Sequence, residues 1–305
     1  MRGYILKRLL QAAIVIPVLI TVVFLVTHAM GDPVRLMLGP GAGEEAVEAL
    51  RHQLGLDQPL HVQFWEYVKG LSRLDFGKSL WLGQPAMEAV VQRMPATFLL
   101  AITAIGWATI AGILTGAFSA RRPFGVVDRT LSTINFFAVS SIDFWLALLL
   151  IIGVAIRVPW IPTSGYGTAN HLILPALALG FRSFGRISQV TRPAVIDEFS
   201  KPYVLALRAR GLSEAKVMFH GLKNVSVVIL TLVGLELVRL FYGAAVVIET
   251  IFAWPGVGFL IVQAAERRDW TLLSAATVII AVIVIAFHLI LDLLYAWLNP
   301  RVRVE

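Results

Sequence analysis

Cysteine is absent from the 305 residues of this chain, and only 15% of the residues are charged. Without thiols the chain has no disulfides, cysteine nucleophiles or thiolate metal sites. Its six histidines include no H-E-x-x-H or comparable spacing, so we predict no metal site. Gly77-Lys78-Ser79 looks like the end of a phosphate-binding loop, but Ser72 stands where the first glycine is required. We therefore predict no catalytic residue and no bound cofactor, and any energy for the function must come from another chain.

Long apolar runs dominate the remainder of the sequence. Hydrophobic residues make up 58% of the chain and the mean hydropathy is +0.79, whereas a soluble protein has about 45 to 50% apolar residues. Six stretches reach the roughly 20 apolar residues that a transmembrane helix needs. They are 9–30, 95–120, 130–156, 172–190, 225–248 and 272–298. The first is longer than the about 7 to 15 apolar residues of a signal peptide, so we expect an all-α polytopic membrane protein with six spans.

The distribution of lysine and arginine predicts the orientation. These residues cluster before the first span, after the second, between the fourth and fifth, and after the sixth. Because basic residues favour the cytosolic side, we expect both termini in the cytosol. The excess of 26 basic over 19 acidic residues then reflects topology, and nucleic-acid binding has little support. The opposite side receives 31–94, which we interpret as an external cap segment within a single membrane domain of residues 1–305.

Segment 203–224 is a basic, polar interruption between two apolar spans. Gly211, followed by Ser213 and Glu214, is typical of a turn and a helix start. Apolar residues at three- and four-residue steps on both sides predict two short helices, each with an apolar stripe. Two interpretations follow. A soluble partner holds the helix pair, or the segment is a basic loop near anionic lipid.

A second break in the apolar pattern, ETIFAWPGVG, occupies 249–258. Pro255 lacks an amide donor and two glycines permit turn geometry, so we expect the chain to reverse here. Non-helical backbone at membrane depth is tolerated only against protein or a water-filled cavity, which predicts an external re-entrant loop over 249–271 that lines a path. The alternative is an interfacial loop anchored by Trp254. The predicted gate residues are Glu249, Phe252, Trp254, Pro255, Gly256 and Gly258.

Charged side chains inside the predicted spans cost about 2.5 to 3.5 kcal/mol each at the bilayer centre, so they should face protein or water. The candidates for a polar translocation path are Asp143, Glu236, Arg239 and His288. Glu236 and Arg239 lie three residues apart on one helix, so the structural alternative is that they pair with each other. Gly112 and Gly116 permit a close helix contact, which we expect within this chain.

These motifs together resemble the first of the two homologous permease subunits of the ABC importers for dipeptides, oligopeptides, nickel and glutathione. The resemblance extends almost from end to end. Its further matching stretches are Gly31-Asp-Pro-Val34, Gln53-Leu-Gly-Leu-Asp-Gln-Pro-Leu60, Asp75-Phe-Gly-Lys-Ser79, Leu174-Pro-Ala176, Asp292-Leu-Leu-Tyr295 and Asn299-Pro-Arg301.

The resemblance implies the transmembrane domain of a type I ABC importer in the bacterial cytoplasmic membrane, which moves peptides or similar small solutes by alternating access. It implies a second permease subunit, two cytosolic ATPase subunits that bind ATP and Mg²⁺, an external substrate-binding protein and membrane lipid as partners. Segment 193–224 becomes the cytosolic coupling loop. The coupling residues implied are Tyr203, Ala206, Arg208, Ala209, Arg210, Gly211, Leu212, Ser213, Lys223 and Asn224.

Three positions depart from the family pattern. Leu207 replaces a small residue, and Val228 replaces a proline, which should straighten the start of the fifth span. Ile142 and Asp143 stand where the third span commonly has a proline. The functional alternative from another class is an ion- or proton-coupled secondary transporter, in which the charges within the spans would bind the coupling ion.

Overall fold

The computed structural model describes residues 2–29, 34, 38, 41, 43–53 and 56–298. The described residues form helices and no named strand, which confirms the all-α fold class. The helices are α1 Arg2–Ala29, α2 Glu44–Gln53, α3 Leu60–Ser72, α4 Ala86–Arg121, α5 Val126–Ser140, α6 Asp143–Leu150, α7 Ala169–Phe199, α8 Pro202–Ala209, α9 Glu214–Arg239, α10 Ala245–Ile251, α11 Val257–Glu266 and α12 Trp270–Leu298. Two π-helical turns, Ile151–Ala155 and Leu240–Ala244, follow α6 and α9.

The six predicted spans coincide with α1, α4, the α5–α6 pair, α7, the α9–α10 stretch and α12. Within the described residues, three helices are long and apolar enough to cross a membrane, and four if the bent α5–α6 pair counts as one span. In α1 the stretch that meets the apolar criterion is the shorter Ala13–Val26. Helix α7 does not meet this criterion, because Arg182, Arg186 and Arg192 lower its mean hydropathy.

The chain divides into two compact units, Met1–Ala96 with Pro255–Ala286, and Thr97–Trp254 with Phe287–Glu305. In the first unit, the start of α4 packs against α11 and the start of α12. Small side chains permit this close packing, because Ala86 and Ala264 are fully buried at the contact. The ring of Phe24 on α1 lies 5.2 Å from that of Phe64 on α3, which attaches the amphipathic cap helix to α1.

In the second unit, α7 packs against α5, α6 and α9. Its close approach to α4 depends on the predicted small residues. A Cβ atom at Gly112 would lie 2.9 Å from Ile187, and one at Gly116 would lie 2.7 Å from Thr191. Because both distances are shorter than real Cβ contacts, only glycine fits, and the predicted packing within this chain is confirmed.

The third predicted span is broken although it lacks the proline of the family pattern. Helix α5 ends at Ser140, α6 begins at Asp143, and the two axes differ by 110°. Ser141 and Ile142 both have extended backbone, and the Ser141 hydroxyl donates to the Ala138 carbonyl at 2.8 Å. The break therefore does not need a proline, and the Ser141 hydroxyl satisfies a carbonyl at the end of α5. By contrast, α9 continues through Val228 without interruption, as predicted.

Candidate functional site: a coupling helix and a charged cavity

The end of α7 holds the short helix α8 through one buried carboxylate, Glu198, which is 5% exposed. Lys201 Nζ donates to its Oε2, and the Tyr203 hydroxyl and Asn224 Nδ2 each donate to its Oε1 at 2.8 Å. Burial alone would raise the pKa of Glu198, but these three hydrogen bonds outweigh it and leave the pKa below its ordinary value. Tyr203 and Asn224, both predicted coupling residues, thus attach α8 to its neighbours on α7 and α9.

The turn from α8 to α9 forms at the predicted glycine. Gly211 has φ +77°, a left-handed conformation that favours glycine, and its amide donates to the Arg208 carbonyl at 2.9 Å. The Arg208 guanidinium spans the turn and donates to both carboxylate oxygens of Glu214 at 2.9 and 3.2 Å. Ser213 is the N-cap residue of α9 as predicted, although its side chain makes no capping hydrogen bond.

One face of α8 is buried and the opposite face is exposed. Val204 is 1% exposed, whereas Leu205 is 71% exposed. The exposed members of the predicted set continue along this face and past the turn. They are Ala206, Arg208, Ala209, Arg210, Gly211, Ser213, Lys223 and Asn224, with Tyr203 and Leu212 half-buried. The exposed apolar and basic residues therefore form a continuous surface beside the turn.

Further along α7, Arg186 meets two charged side chains of α9, Glu236 and Arg239. Glu236 on α9 is 2% exposed, and its Oε2 accepts hydrogen bonds from Ser183 Oγ and Arg239 Nε, both at 2.8 Å. Its Oε1 lies 3.2 Å from an Arg186 nitrogen. The predicted pairing of Glu236 with Arg239 is confirmed, and it belongs to a larger network than the helix spacing indicated.

Arg239 connects this network to a cavity. Its Nη1 lies 3.6 Å from an Asp143 carboxylate oxygen at the start of α6. The cavity has a volume of about 520 Å³ and is lined by the α5–α6 break, one side of α7 and the π-helical turn Leu240–Ala244. Gly243 in that turn has φ +105°, so the turn opens the backbone beside the charged groups.

The fourth predicted path residue lies next to the same turn. His288 on α12 has its Nε2 3.1 Å from the hydroxyl of Tyr242, and Tyr242 lines the cavity. Asp143, Arg239 and His288 therefore approach one cavity, while Glu236 lies behind Arg239. Sequence reasoning missed Arg182, Ser183 and Arg186, although the i, i+4 arginines within an apolar span were a readable signal.

The predicted external gate is buried in this structure. Glu249 is fully buried and accepts a hydrogen bond from Thr97 Oγ1 at 2.7 Å. Phe252 and Trp254 are each 1% exposed, and the Trp254 ring packs edge-on against Tyr166 at 4.8 Å between centroids. Trp254 is enclosed by protein. It therefore does not make the lipid contacts that the alternative interpretation, an interfacial loop anchored by this residue, requires.

Helix α10 ends at Ile251, and the left-handed residue that follows it is not one of the predicted glycines. The left-handed residue is Ala253, with φ +48°, whereas Gly256 is the N-cap of α11 and Gly258 lies within that helix. Pro255 is half-buried between α10 and α11. Both glycines are buried, so their small size matters more here than their conformational freedom.

Asp269, near the end of the predicted external loop, binds the cap segment. Its Oδ2 accepts hydrogen bonds from the Ser79 hydroxyl at 2.5 Å and the Trp81 amide at 3.0 Å, while its Oδ1 accepts one from the Leu272 amide. Asp269 is 1% exposed, so it caps α12 and does not contribute to an exposed acidic face. The local sequence around Ser79 contained no sign of this partner 190 residues away.

Known proteins share this pattern over the whole chain. The family described as the inner membrane component of binding-protein-dependent transport systems matches residues 112–304, and the N-terminal family of the same membrane components matches residues 1–101. This chain belongs to that family. The glutathione transport system permease proteins GsiC of Escherichia coli, Shigella dysenteriae serotype 1 and Salmonella typhi are each 36% identical to it over 305 residues, covering 99% of both chains.

The family identifies the chain as a multi-pass inner membrane subunit of an ATP-driven importer with a type I transmembrane domain. In such importers, separate subunits hydrolyse ATP, and this chain is not an enzyme. The comparisons give no support to ion-coupled secondary transport. Within the described residues, no group of histidine and acidic side chains could hold a metal ion.

Proposed function

We propose that this chain forms one half of a translocation path for peptides or similar small solutes. The full-length similarity to permeases named for glutathione transport supports this solute class, because glutathione is itself a small peptide. A homologous second permease completes the path, two cytosolic ATPase subunits bind ATP and Mg²⁺, and an external binding protein delivers the solute.

The distribution of basic residues supports an orientation with both termini and the coupling loop 193–224 in the cytosol. The cap segment 31–94 and the loop 249–271 then lie outside. In this arrangement ATP-driven closure of the ATPase pair moves α8, and the spans reorient around a central path. The chain is one transmembrane domain in this proposal.

The observation that carries the coupling role is the two-sided character of α8. Its first turn is attached through Tyr203 to Glu198 on α7, and Asn224 on α9 shares that carboxylate. Its outer face, by contrast, exposes Leu205 to solvent. A partner that binds the outer face therefore pulls on α7, which also carries Arg182 at the charged cavity.

The same arrangement supports two path elements. Asp143, Arg239 and His288 form a polar inner section, with Glu236 holding Arg239 in place. The buried aromatic pair Phe252 and Trp254 forms a closed outer gate, held to α4 through Glu249 and Thr97.

Replacing Leu205 with Asp tests the coupling role. The side chain is 71% exposed, so Leu205→Asp should leave the permease folded while removing an apolar contact from the docking surface. We expect at least a ten-fold loss (about 1.4 kcal/mol) of ATPase subunit affinity in the purified complex, measured by co-purification and by ATP-driven uptake. Leu60→Asp is the matched control, since Leu60 is 58% exposed on the cap helix α3. Normal ATPase stoichiometry and uptake in the Leu205 variant would reject α8 as the docking helix.

A further inference from the structure

The charged cavity contains one more cation than its acidic groups can neutralise. Two arginines (Arg182 and Arg239) and one carboxylate (Asp143) line it, and behind this wall Glu236 pairs with Arg239 and Arg186. Arg186 and Arg239 both pair with Glu236, and Arg239 also approaches Asp143. Arg182 lines the cavity, and among the described residues its buried Nε has no hydrogen-bond partner. A guanidinium in a membrane span is costly unless an anion compensates it.

The shape and lining of the cavity suit a small organic anion. Its volume of about 520 Å³ lies within the roughly 300 to 1,000 Å³ typical of small-molecule sites. The wall combines the two guanidinium groups with apolar side chains, among them Val139, Ile142 and Phe144. Guanidinium groups bind carboxylates through paired hydrogen bonds, and the apolar wall can cover the remainder of a peptide-sized solute.

We propose that Arg182, together with Arg239, binds a carboxylate group of the solute as it passes through the cavity. Asp143 lines the same cavity, so its negative charge lies beside the two arginines that bind the solute carboxylate. The cavity therefore matches a solute that carries both a carboxylate and an amine. Glu236 holds Arg239 from behind through its 2.8 Å hydrogen bond and keeps the guanidinium in place. The proposal rests on the translocation function and adds the chemistry that the path recognises.

The absence of native cysteine from this chain permits a direct test of the cavity in the complete transporter, with labelling read on this subunit after the subunits are separated. Ser140 lines the cavity and its side chain is exposed there, so Ser140→Cys places a single thiol at the site. The labelling rates by an anionic and a cationic methanethiosulfonate reagent are compared in phosphatidylcholine nanodiscs. We expect the anionic reagent to be favoured, and Arg182→Gln to lower the ratio of the two rates about ten-fold, because one positive charge is removed beside the thiol.

Arg129→Gln is the matched control. Arg129 is exposed on the same helix as Ser140, about 16 Å away along its axis, which is beyond the screening length of roughly 10 Å at 0.1 M salt. This variant removes the same charge and should leave the rate ratio unchanged. An equal ratio in the Arg182 and Arg129 variants would overturn the proposal, as would a Ser140→Cys complex that neither reagent labels at rest or during ATP hydrolysis.

A competition experiment separates a carboxylate site from a general positive field. Propionate should slow the labelling of Ser140→Cys by a neutral reagent, whereas the uncharged propionamide should not, and Arg182→Gln should abolish the protection. Arg182→Lys retains the charge without the paired donors, so it should keep the preference for the anionic reagent and lose most of the protection. Equal protection by the two probes would reject carboxylate recognition.

An anionic lipid headgroup is the other source of a bound anion. If the cavity binds lipid, propionate protection should be absent in phosphatidylcholine and a block of labelling should appear only with phosphatidylglycerol, and this result would reject the proposal. ATP-driven uptake by the wild-type complex is measured in parallel. Loss of that activity contradicts the translocation function, whereas normal uptake with unaltered labelling in Arg182→Gln contradicts only the carboxylate site.

Discussion

At the residue scale, buried polar groups with several partners define the interior of the second unit. Glu198 accepts hydrogen bonds from three side chains located on either side of the coupling turn. Asp128 similarly accepts from both Nε and Nη2 of Arg192, at 2.6 and 2.7 Å, and ties the start of α5 to α7. Such groups stabilise a structure only while all their partners remain, because a buried charge left without them is costly.

Glu198→Ala should therefore detach α8 from α7. We expect a loss of about 3 kcal/mol in the stability of this region. Three hydrogen bonds to a charged group are lost together, but the loss is smaller than their sum because Lys201 and Asn224 are exposed and can bond to water instead. The measurement is protease cleavage between α7 and α8 in the purified complex, with ATPase binding as a second readout. Asp197→Ala is the control, because Asp197 is the exposed neighbour of the same charge. Equal cleavage of the two variants would contradict the role of Glu198.

Trp254 tests the proposed outer gate. The side chain is 1% exposed, so truncation to alanine would remove about 3 to 5 kcal/mol of core packing and obscure any effect on transport. Trp254→Phe retains an aromatic ring against Tyr166 with less volume. We expect it to raise basal ATP hydrolysis or to change solute uptake at normal complex abundance. Unchanged uptake kinetics and basal hydrolysis in an assembled complex would remove the support for a gate at this residue.

At the element scale, α7 connects the two functional regions of the second unit. Near its middle Arg182 lines the charged cavity and Arg186 pairs with Glu236, Arg192 binds Asp128 on α5, and Glu198 holds α8 at its end. In the proposed mechanism, a displacement of α8 is transmitted along this one continuous helix. The α4–α7 contact matters for the same reason, because a helix that transmits movement needs close packing on its other sides.

Gly116→Ala should weaken the α4–α7 contact. The added Cβ would lie 2.7 Å from Thr191 and 2.8 Å from the Ser188 carbonyl, and a backbone atom cannot move aside cheaply. We expect a loss of about 1 to 3 kcal/mol, seen as a lower thermal unfolding midpoint in detergent. Gly106→Ala on the same helix is the control. A Cβ at Gly106 meets nothing within 4 Å, so alanine should be neutral or stabilising by up to about 1 kcal/mol. Equal midpoints for the two variants would contradict the close contact.

At the scale of the whole molecule, the orientation can be read with introduced thiols. Ser79 is a poor position for this purpose because it is 1% exposed and donates to Asp269. Ser72, at the end of the cap helix α3, is exposed, and Ser213 is exposed at the coupling turn. We expect an impermeant thiol reagent applied to intact cells to label Ser72→Cys and not Ser213→Cys, and to label both after the membrane is opened. The reverse pattern would overturn the orientation, and external labelling of both would overturn the arrangement of spans.

The sequence by itself determined the class of protein and the position of the coupling turn, but not the break of the third span at Ser141 and Ile142. Long apolar runs must avoid water, so apolar spans follow from composition. Gly211 marks a turn because glycine adopts left-handed backbone freely, whereas Pro255 marks one because its ring fixes φ and removes the amide donor. The small residues Gly112 and Gly116 predicted a close helix contact for a similar local reason. The motif order was also sufficient to indicate the transporter family.

Only the tertiary structure decided which polar groups meet. Glu198 with Asn224, Ser79 with Asp269, and Arg182 with the cavity beside Asp143 are separated along the chain and share no local periodicity. The structure also moved the left-handed turn residue from the predicted glycines to Ala253 and enclosed Trp254 in protein. The physical reason is the same in each case. A helix fixes which residues share its own face, but the partner of a buried charge depends on how separate helices pack against one another.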